Sequence, residues 1–211
     1  MKTLCISVFC VFCAISGFSQ SRFFVNLNGG IDMNSNKYYA PNDYEKFENG
    51  KTDFNAGLDL GYRFSDITRF RLQFRFLEYS FGQRPLTAGD IRESEMTLKS
   101  LGFTPRLDIR VWSFKDLELF LSPGLKLEYA LESDQESLRS DGSVSDMNYI
   151  KTDYSDKMSG FSGGAVIKYN FTKHLGATLS PDYTLFFKKL YEKNDASLRR
   201  FSLNAGVEWR F

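Results

Sequence analysis

The chain has 211 residues, 42% of them apolar, with 21 Phe, 11 Tyr and a formal net charge of +1. That length suits one domain, and near-neutral charge excludes the basic excess of a nucleic-acid binder. A mean hydropathy of −0.33 looks soluble, yet it does not exclude a membrane barrel, in which only every second strand residue meets lipid.

Residues 1–19 differ from all that follows. Lys2 gives a positive start, Leu4 to Ile15 an apolar run, and Gly17-Phe18-Ser19 small residues for cleavage before Gln20, the pattern of a secretory signal peptide. The run is too short for a spanning helix, and no cysteine follows a lipobox pattern. Cys5, Cys10 and Cys13 all lie within the leader, so residues 20–211 form a mature domain with no disulfide, thiolate or cysteine metal site. No second apolar run of helical spanning length follows, so any membrane crossing is by strands.

Eight segments then alternate apolar and polar residues with a period of two. In chain order, the apolar rows run Phe23 to Ile31, Phe54 to Phe64, Phe70 to Phe76, Leu101 to Val111, Leu117 to Leu131, Phe161 to Phe171, Leu175 to Leu185 and Phe201 to Phe211. In the third, the row shifts parity to Leu77, Tyr79 and Phe81, which predicts a bulge. Connections alternate too. Short turns fall near Ser65–Thr68, Ser113–Asp116 and Thr172–His174, and long segments at Asp32–Lys51, Gly82–Glu95, Glu132–Lys157 and Lys188–Ser197. Short periplasmic turns and long extracellular loops give an all-β fold, an eight-stranded antiparallel up-and-down transmembrane β-barrel with both termini periplasmic. The last strand must pair with the strand beginning near Phe23, because an open edge cannot survive in hydrocarbon.

A soluble barrel with the greasy face inward would have the same alternation, but volume excludes it. Even the packed interior of an eight-stranded α/β barrel takes only about twelve side chains, whereas the apolar rows hold roughly forty. The other face interleaves glycines with Asp59, Arg63, Arg71, Arg75, Arg106, Asp108, Arg110, Glu118, Lys126, Glu128, Lys168, Asp182, Glu208 and Arg210. Mixed charges of this kind are tolerated inside when paired, so they predict a lumen closed by an ionic network. Tyr62, Phe64, Phe70, Trp112, Phe114, Tyr169, Phe171, Trp209 and Phe211 near the short turns, and Tyr79, Phe81, Tyr129, Phe161, Tyr183 and Phe201 near the long loops, predict two aromatic girdles.

Leader, alternating strands, alternating loops and the terminal Gly206-Val207-Glu208-Trp209-Arg210-Phe211 resemble the small outer-membrane β-barrels of OmpA/OmpX type, in the version common in Bacteroidota and labelled PorT-like. The resemblance implies location in the outer membrane of a Gram-negative bacterium. It also implies that Val207, Trp209 and Phe211 carry the signal read by the barrel assembly machinery.

Chemistry is sparse. The single histidine, His174, lies in a short turn with no serine placed for it, so the usual bases and nucleophiles are nearly exhausted and a non-enzymatic protein without cofactor or metal is expected. Glu132–Lys157 is acidic but lacks calcium-loop spacing. Lys188, Lys189, Lys193, Arg199 and Arg200 cluster around the last long loop, where cations can contact lipopolysaccharide phosphates. Tyr38, Tyr39, Tyr44 and Phe47 give the first loop the composition of a contact surface. The leading reading is a structural, adhesion or envelope-assembly barrel whose partners are outer-membrane lipids, lipopolysaccharide and an envelope protein met through the loops. The alternatives are a narrow channel and a lipid A-modifying enzyme.

Overall fold

The computed structural model describes residues 22–37, 44–45, 52–85, 91–139, 141–147, 157–187 and 197–211. The predicted leader lies outside them. Ten strands follow in order: β1 (Phe23–Lys37), β2 (Tyr44–Glu45), β3 (Thr52–Arg63), β4 (Thr68–Pro85), β5 (Ile91–Phe114), β6 (Leu117–Arg139), β7 (Val144–Met147), β8 (Lys157–Asn170), β9 (Leu175–Phe186) and β10 (Ser197–Arg210). Eight of them, all but β2 and β7, form the wall. Each pairs antiparallel with its neighbours, β4 with β5 and β1 with β10 complete the ring, and the sheet has no free edge within it. The seam is long, running from Phe24 opposite Arg210 to Lys37 opposite Ser197.

The alternation sorts the side chains as volume requires. Leu27 is 65% exposed and Phe54 74%, whereas Asp59, Asp108 and Lys168 are fully buried. The greasy face is therefore outside and the charged face inside. At the short-turn end the outward aromatics touch in pairs along the rim, with ring centres 4.8 Å apart for Phe23 and Tyr62, 5.2 Å for Tyr169 and Phe171, and 6.1 Å for Trp112 and Phe114. At the other end Tyr129, Phe161, Tyr183 and Phe201 are exposed.

Two sequence expectations need correction. The first is the bulge at Leu77. The β4–β5 ladder runs unbroken from Thr68 opposite Ile109 to Gln83 opposite Ser94, so Leu77 keeps the inward parity of Arg75 and is buried. Leu98, Met158 and Phe186 are likewise buried inward-facing residues near the long-loop end of their strands, so the change of pattern marks a change in the lining of the lumen. The bulges lie between β5 and β6. Arg110 faces Phe120 while Trp112 faces Leu119, which leaves Val111 as an extra residue and turns both Val111 and Trp112 outward, 48% and 47% exposed. Leu131 is a second extra residue, between the pairs Ser100–Ala130 and Lys99–Glu132.

The second correction concerns the long segments. Gly82–Glu95 is largely ladder, with Phe81 opposite Met96 and Gln83 opposite Ser94. β6 continues to Arg139 and turns back as β7, and β1 runs on to Lys37. At 24 and 23 residues, β5 and β6 far exceed the 9–11 or so that a tilted strand needs to span hydrocarbon. They carry the sheet beyond the membrane on the long-loop side, where backbone pairing between neighbours continues in water.

Several glycines allow a close approach, and Gly61 the closest. Phe24 turns inward, opposite Gly61, and a Cβ at Gly61 would stand 2.0 Å from the Phe24 ring. Gly61→Ala should therefore destabilise the barrel by about 1–3 kcal/mol through overpacking, and in a Phe24→Ala background it should cost nothing further. Urea unfolding in detergent, followed by heat-modifiable migration on a gel, reads both; equal costs in the two backgrounds would exclude the contact.

Candidate functional site

The densest chemistry is inside the wall. Arg69 on β4 lies deepest toward the short-turn end, its Nε 2.8 Å from Asp108 and its Nη1 2.9 Å from Glu208. Its guanidinium sits over the rings of Phe120 at 4.0 Å and Phe24 at 4.9 Å, which supply both apolar cover and cation–π attraction. Glu208 on β10 also pairs with Lys168 of β8.

The next arginine along β4 is the hub. Arg71 donates to Asp59 of β3 at 3.2 Å, to Asp108 of β5 at 3.1 Å and to the Ser122 hydroxyl of β6 at 2.9 Å. Ser122 in turn donates to Asp108 at 2.5 Å, and Asn26 to Asp59 at 3.0 Å. Further along, Arg75 donates to the side-chain oxygens of Asn55 and Asn204 at 3.1 and 3.0 Å. Arg106 reaches the Ser122 carbonyl at 3.0 Å and contacts Ser162 and Asp182.

Toward the long-loop end Arg200 grips Glu128 with both terminal nitrogens, at 2.6 and 3.3 Å. It also donates to Asn34 at 3.0 Å, and Lys126 lies 3.1 Å from Glu128. At the opposite mouth Arg110 pairs with Glu118 at 3.0 Å, and Arg210 donates to Asn170 at 2.7 Å. Charged groups so far from water survive because Asp59, Asp108, Glu118, Glu128, Asp182 and Glu208 each accept more than one bond, from cations, amides or hydroxyls.

All fourteen residues expected in the lumen face inward. Asp59, Arg71, Arg75, Arg106, Asp108, Glu118, Lys126, Glu128, Lys168, Asp182 and Glu208 are buried; Arg63, Arg110 and Arg210 are half-buried at the short-turn mouth. Arg200 is a correction. It was grouped with the cations of the last long loop, but β10 already has its inward–outward alternation there, so with Phe201 outward Arg200 points in, is 1% exposed and cannot serve an outer surface. Arg199, its outward neighbour, is exposed. Lys188, Lys189 and Lys193 lie outside the described residues, as do Tyr38, Tyr39 and Phe47.

Sequence reasoning also missed Arg69, by starting the third strand one residue late; it has the parity of Arg71. Asp32, which the first long segment includes, and Asp53, just before the second apolar row, are both buried and directly opposite each other on β1 and β3. Extending each alternation by a turn would have found all three. On the outside of β10, Val207 and Trp209 face lipid at 53% and 49% exposure, and the Phe211 amide bonds the Phe23 carbonyl at 3.1 Å. The exposed His174 donates from Nδ1 to the Arg210 carbonyl at 3.0 Å and stacks on Trp209. Among the described residues no group of three or more His, Cys, Asp or Glu is placed to hold a metal ion.

Comparison with known proteins agrees with this architecture. The sequence profile of the outer membrane protein beta-barrel domain matches residues 6–211. The chain belongs to that family. No curated protein matches the sequence. Among solved structures, the Neisserial surface protein NspA is 17% identical with a TM-score of 0.52, over 90% of this chain and 97% of that one. OprG from Pseudomonas aeruginosa is 14% identical with a TM-score of 0.56, over 91% and 97%, and the outer membrane protease OmpT from Escherichia coli is 10% identical with a TM-score of 0.50, over 92% and 98%. At such identities the likeness is one of fold. Family and fold together place this outer-membrane β-barrel in the outer membrane of a Gram-negative bacterium.

The lumen geometry has a measurable consequence. Glu208→Gln removes the anion shared by Arg69 and Lys168, and the barrel should lose about 3–5 kcal/mol in urea unfolding. Arg199→Gln, on the exposed side of the same strand, should change stability by no more than about 0.5 kcal/mol.

Proposed function

We propose that this outer-membrane β-barrel is a non-enzymatic protein with a lumen that does not conduct, and that it acts through its surface: in envelope structure, adhesion or the assembly of a larger envelope complex. One observation carries the reading. The lumen is tied across its width by bonds between strands on opposite sides of the ring: Arg75 of β4 to Asn204 of β10, Arg106 of β5 to Asp182 of β9, and Arg200 of β10 to Glu128 of β6. Among Arg71, Arg75, Arg106, Asp32 and Asp182 only about 20 Å³ is left, enough for one or two waters. Against catalysis, the Ser122 and Ser162 hydroxyls are already bonded to Asp108 and Asp182, and the one histidine is on the rim beside Trp209.

In this reading both termini and the short turns face the periplasm, and β5, β6 and β7 project from the cell. Lys188, Lys189, Lys193 and Arg199 contact lipopolysaccharide phosphates at the outer rim, and the loops meet an envelope partner. Val207, Trp209 and Phe211 present the lipid-facing edge that the assembly machinery recognises, which fits their place in the closing strand.

Planar-bilayer recordings test the lumen. The wild type should give no stable conductance steps, and the double substitution Arg75→Ser with Arg106→Ser, which cuts two of the cross-ties, should introduce them; steps in the wild type would overturn a closed lumen. Orientation is tested with single cysteines in the otherwise cysteine-free mature chain. Ser143→Cys, in the β6–β7 turn, should react with a membrane-impermeant maleimide on intact cells, and Asp66→Cys, in the β3–β4 turn, only after lysis.

A further inference from the structure

The cations that line the barrel stand beside carboxylates everywhere except at one end. Among the described residues, every buried inward-facing cation, Arg75 at 3.9 Å included, lies within 4.0 Å of a carboxylate. So does half-buried Arg110, through Glu118. Arg63 and Arg210 do not. No carboxylate among the described residues is within ion-pairing distance of either. Arg210 is held by neutral acceptors, the Asn170 side chain at 2.7 Å and the Thr172 carbonyl at 3.3 Å, while its Nε is buried with no acceptor at all.

The two residues sit at the short-turn mouth on the inner faces of β3 and β10, the strands that flank β1. Phe24 of β1 is opposite Arg210 on one side and Gly61 on the other, and Arg63 is two residues beyond Gly61 on the same face. The backbone holds Arg63 there through its amide bond to the Arg22 carbonyl at 2.7 Å. The two guanidiniums feel each other's charge. Below them the inward rings of Phe24 and Phe120, with Arg69 between, form the floor. The charges of Glu118 and Glu208 reach them in part, but both carboxylates pair elsewhere, Glu118 with Arg110 and with Lys168 at 4.0 Å, Glu208 with Arg69 and Lys168.

A half-exposed mouth with two guanidiniums paired to no carboxylate, one of them with a buried donor that has no acceptor, can receive an anion. Planar guanidinium forks match the spacing of phosphate oxygens, and two cations match the charge of a phosphate monoester, about −1.5 to −2 at neutral pH. We propose that the short-turn mouth is a phosphate-binding site, with Arg63 and Arg210 as its two clamps. The site is independent of whether the lumen conducts, because its floor lies above the cross-ties.

The test is calorimetric titration of the purified mature barrel in zwitterionic detergent with inorganic phosphate and with glycerol phosphate, at fixed ionic strength. Binding is expected in the wild type, and Arg63→Gln and Arg210→Gln should each weaken it by roughly tenfold or more, the scale of a charge-assisted bond. Lys115→Gln with Lys173→Gln, which removes two charges from the neighbouring turns, should leave it unchanged. Heat-modifiable migration of each variant confirms that it is folded. Absence of binding to wild type, or binding indifferent to both arginines, overturns the proposal, as does an equal loss in the lysine variant. A second arm distinguishes the source of the phosphate: arginine-dependent enrichment of phosphatidylglycerol over phosphatidylcholine around the barrel in nanodiscs would assign it to a lipid headgroup, and binding confined to the soluble esters to a periplasmic molecule.

Discussion

The rest of the molecule depends on the pairing of β1 with β10. In hydrocarbon there is no water to satisfy a backbone amide or carbonyl, so a sheet can cross only if it has no edge. The seam from Phe24 opposite Arg210 to Lys37 opposite Ser197 removes the last one. Closure then fixes two environments, a dry lipid face and a narrow interior, and the two-residue period of a strand distributes every side chain between them. Leu27 and Asn26 are neighbours in sequence, yet one is 65% exposed and the other buried.

What fills the interior follows from how narrow eight strands make it. Long charged side chains can pack there only if they interlock, and the interlocking is hierarchical. Arg71 connects three adjacent strands, whereas Arg75, Arg106 and Arg200 tie strands on opposite sides of the ring. Both ends of the network have apolar cover: Phe24 and Phe120 sandwich Arg69 toward the short turns, and Phe186 lies 5.2 Å from Arg200 toward the loops. Such cover lowers the local dielectric and strengthens each pair, and it also raises the cost of leaving one broken. The mouth beyond Arg69 escapes this constraint because water reaches it, and among the described residues the inward arginines without a close carboxylate partner, Arg63 and Arg210, are there.

Outside, the same wall changes character along its length. The bulge at Val111 turns two adjacent side chains, Val111 and Trp112, toward the lipid side, widening the aromatic rim near a short turn. The second, at Leu131, coincides with the exposed ion pair of Lys99 and Glu132 at 3.0 Å. Charges on the outward face mark where hydrocarbon ends, and above them β5 and β6 continue as an ordinary sheet.

The amino-acid sequence by itself determined the eight strands of the wall, which face of each is apolar along most of its length and fourteen of the inward charges, because alternation with a period of two is local and needs no knowledge of neighbours. It located the closing strand for the same reason. The tertiary structure decided register and partnership: that Leu77 continues inward, that the parity breaks fall at Val111 and Leu131, that the supposed loops are ladder, and that Arg200 grips Glu128 across the lumen. Those are properties of two strands at once. Arg63 and Arg75 look alike along their strands, and only closure of the barrel shows that one has a carboxylate across from it and the other faces an open mouth.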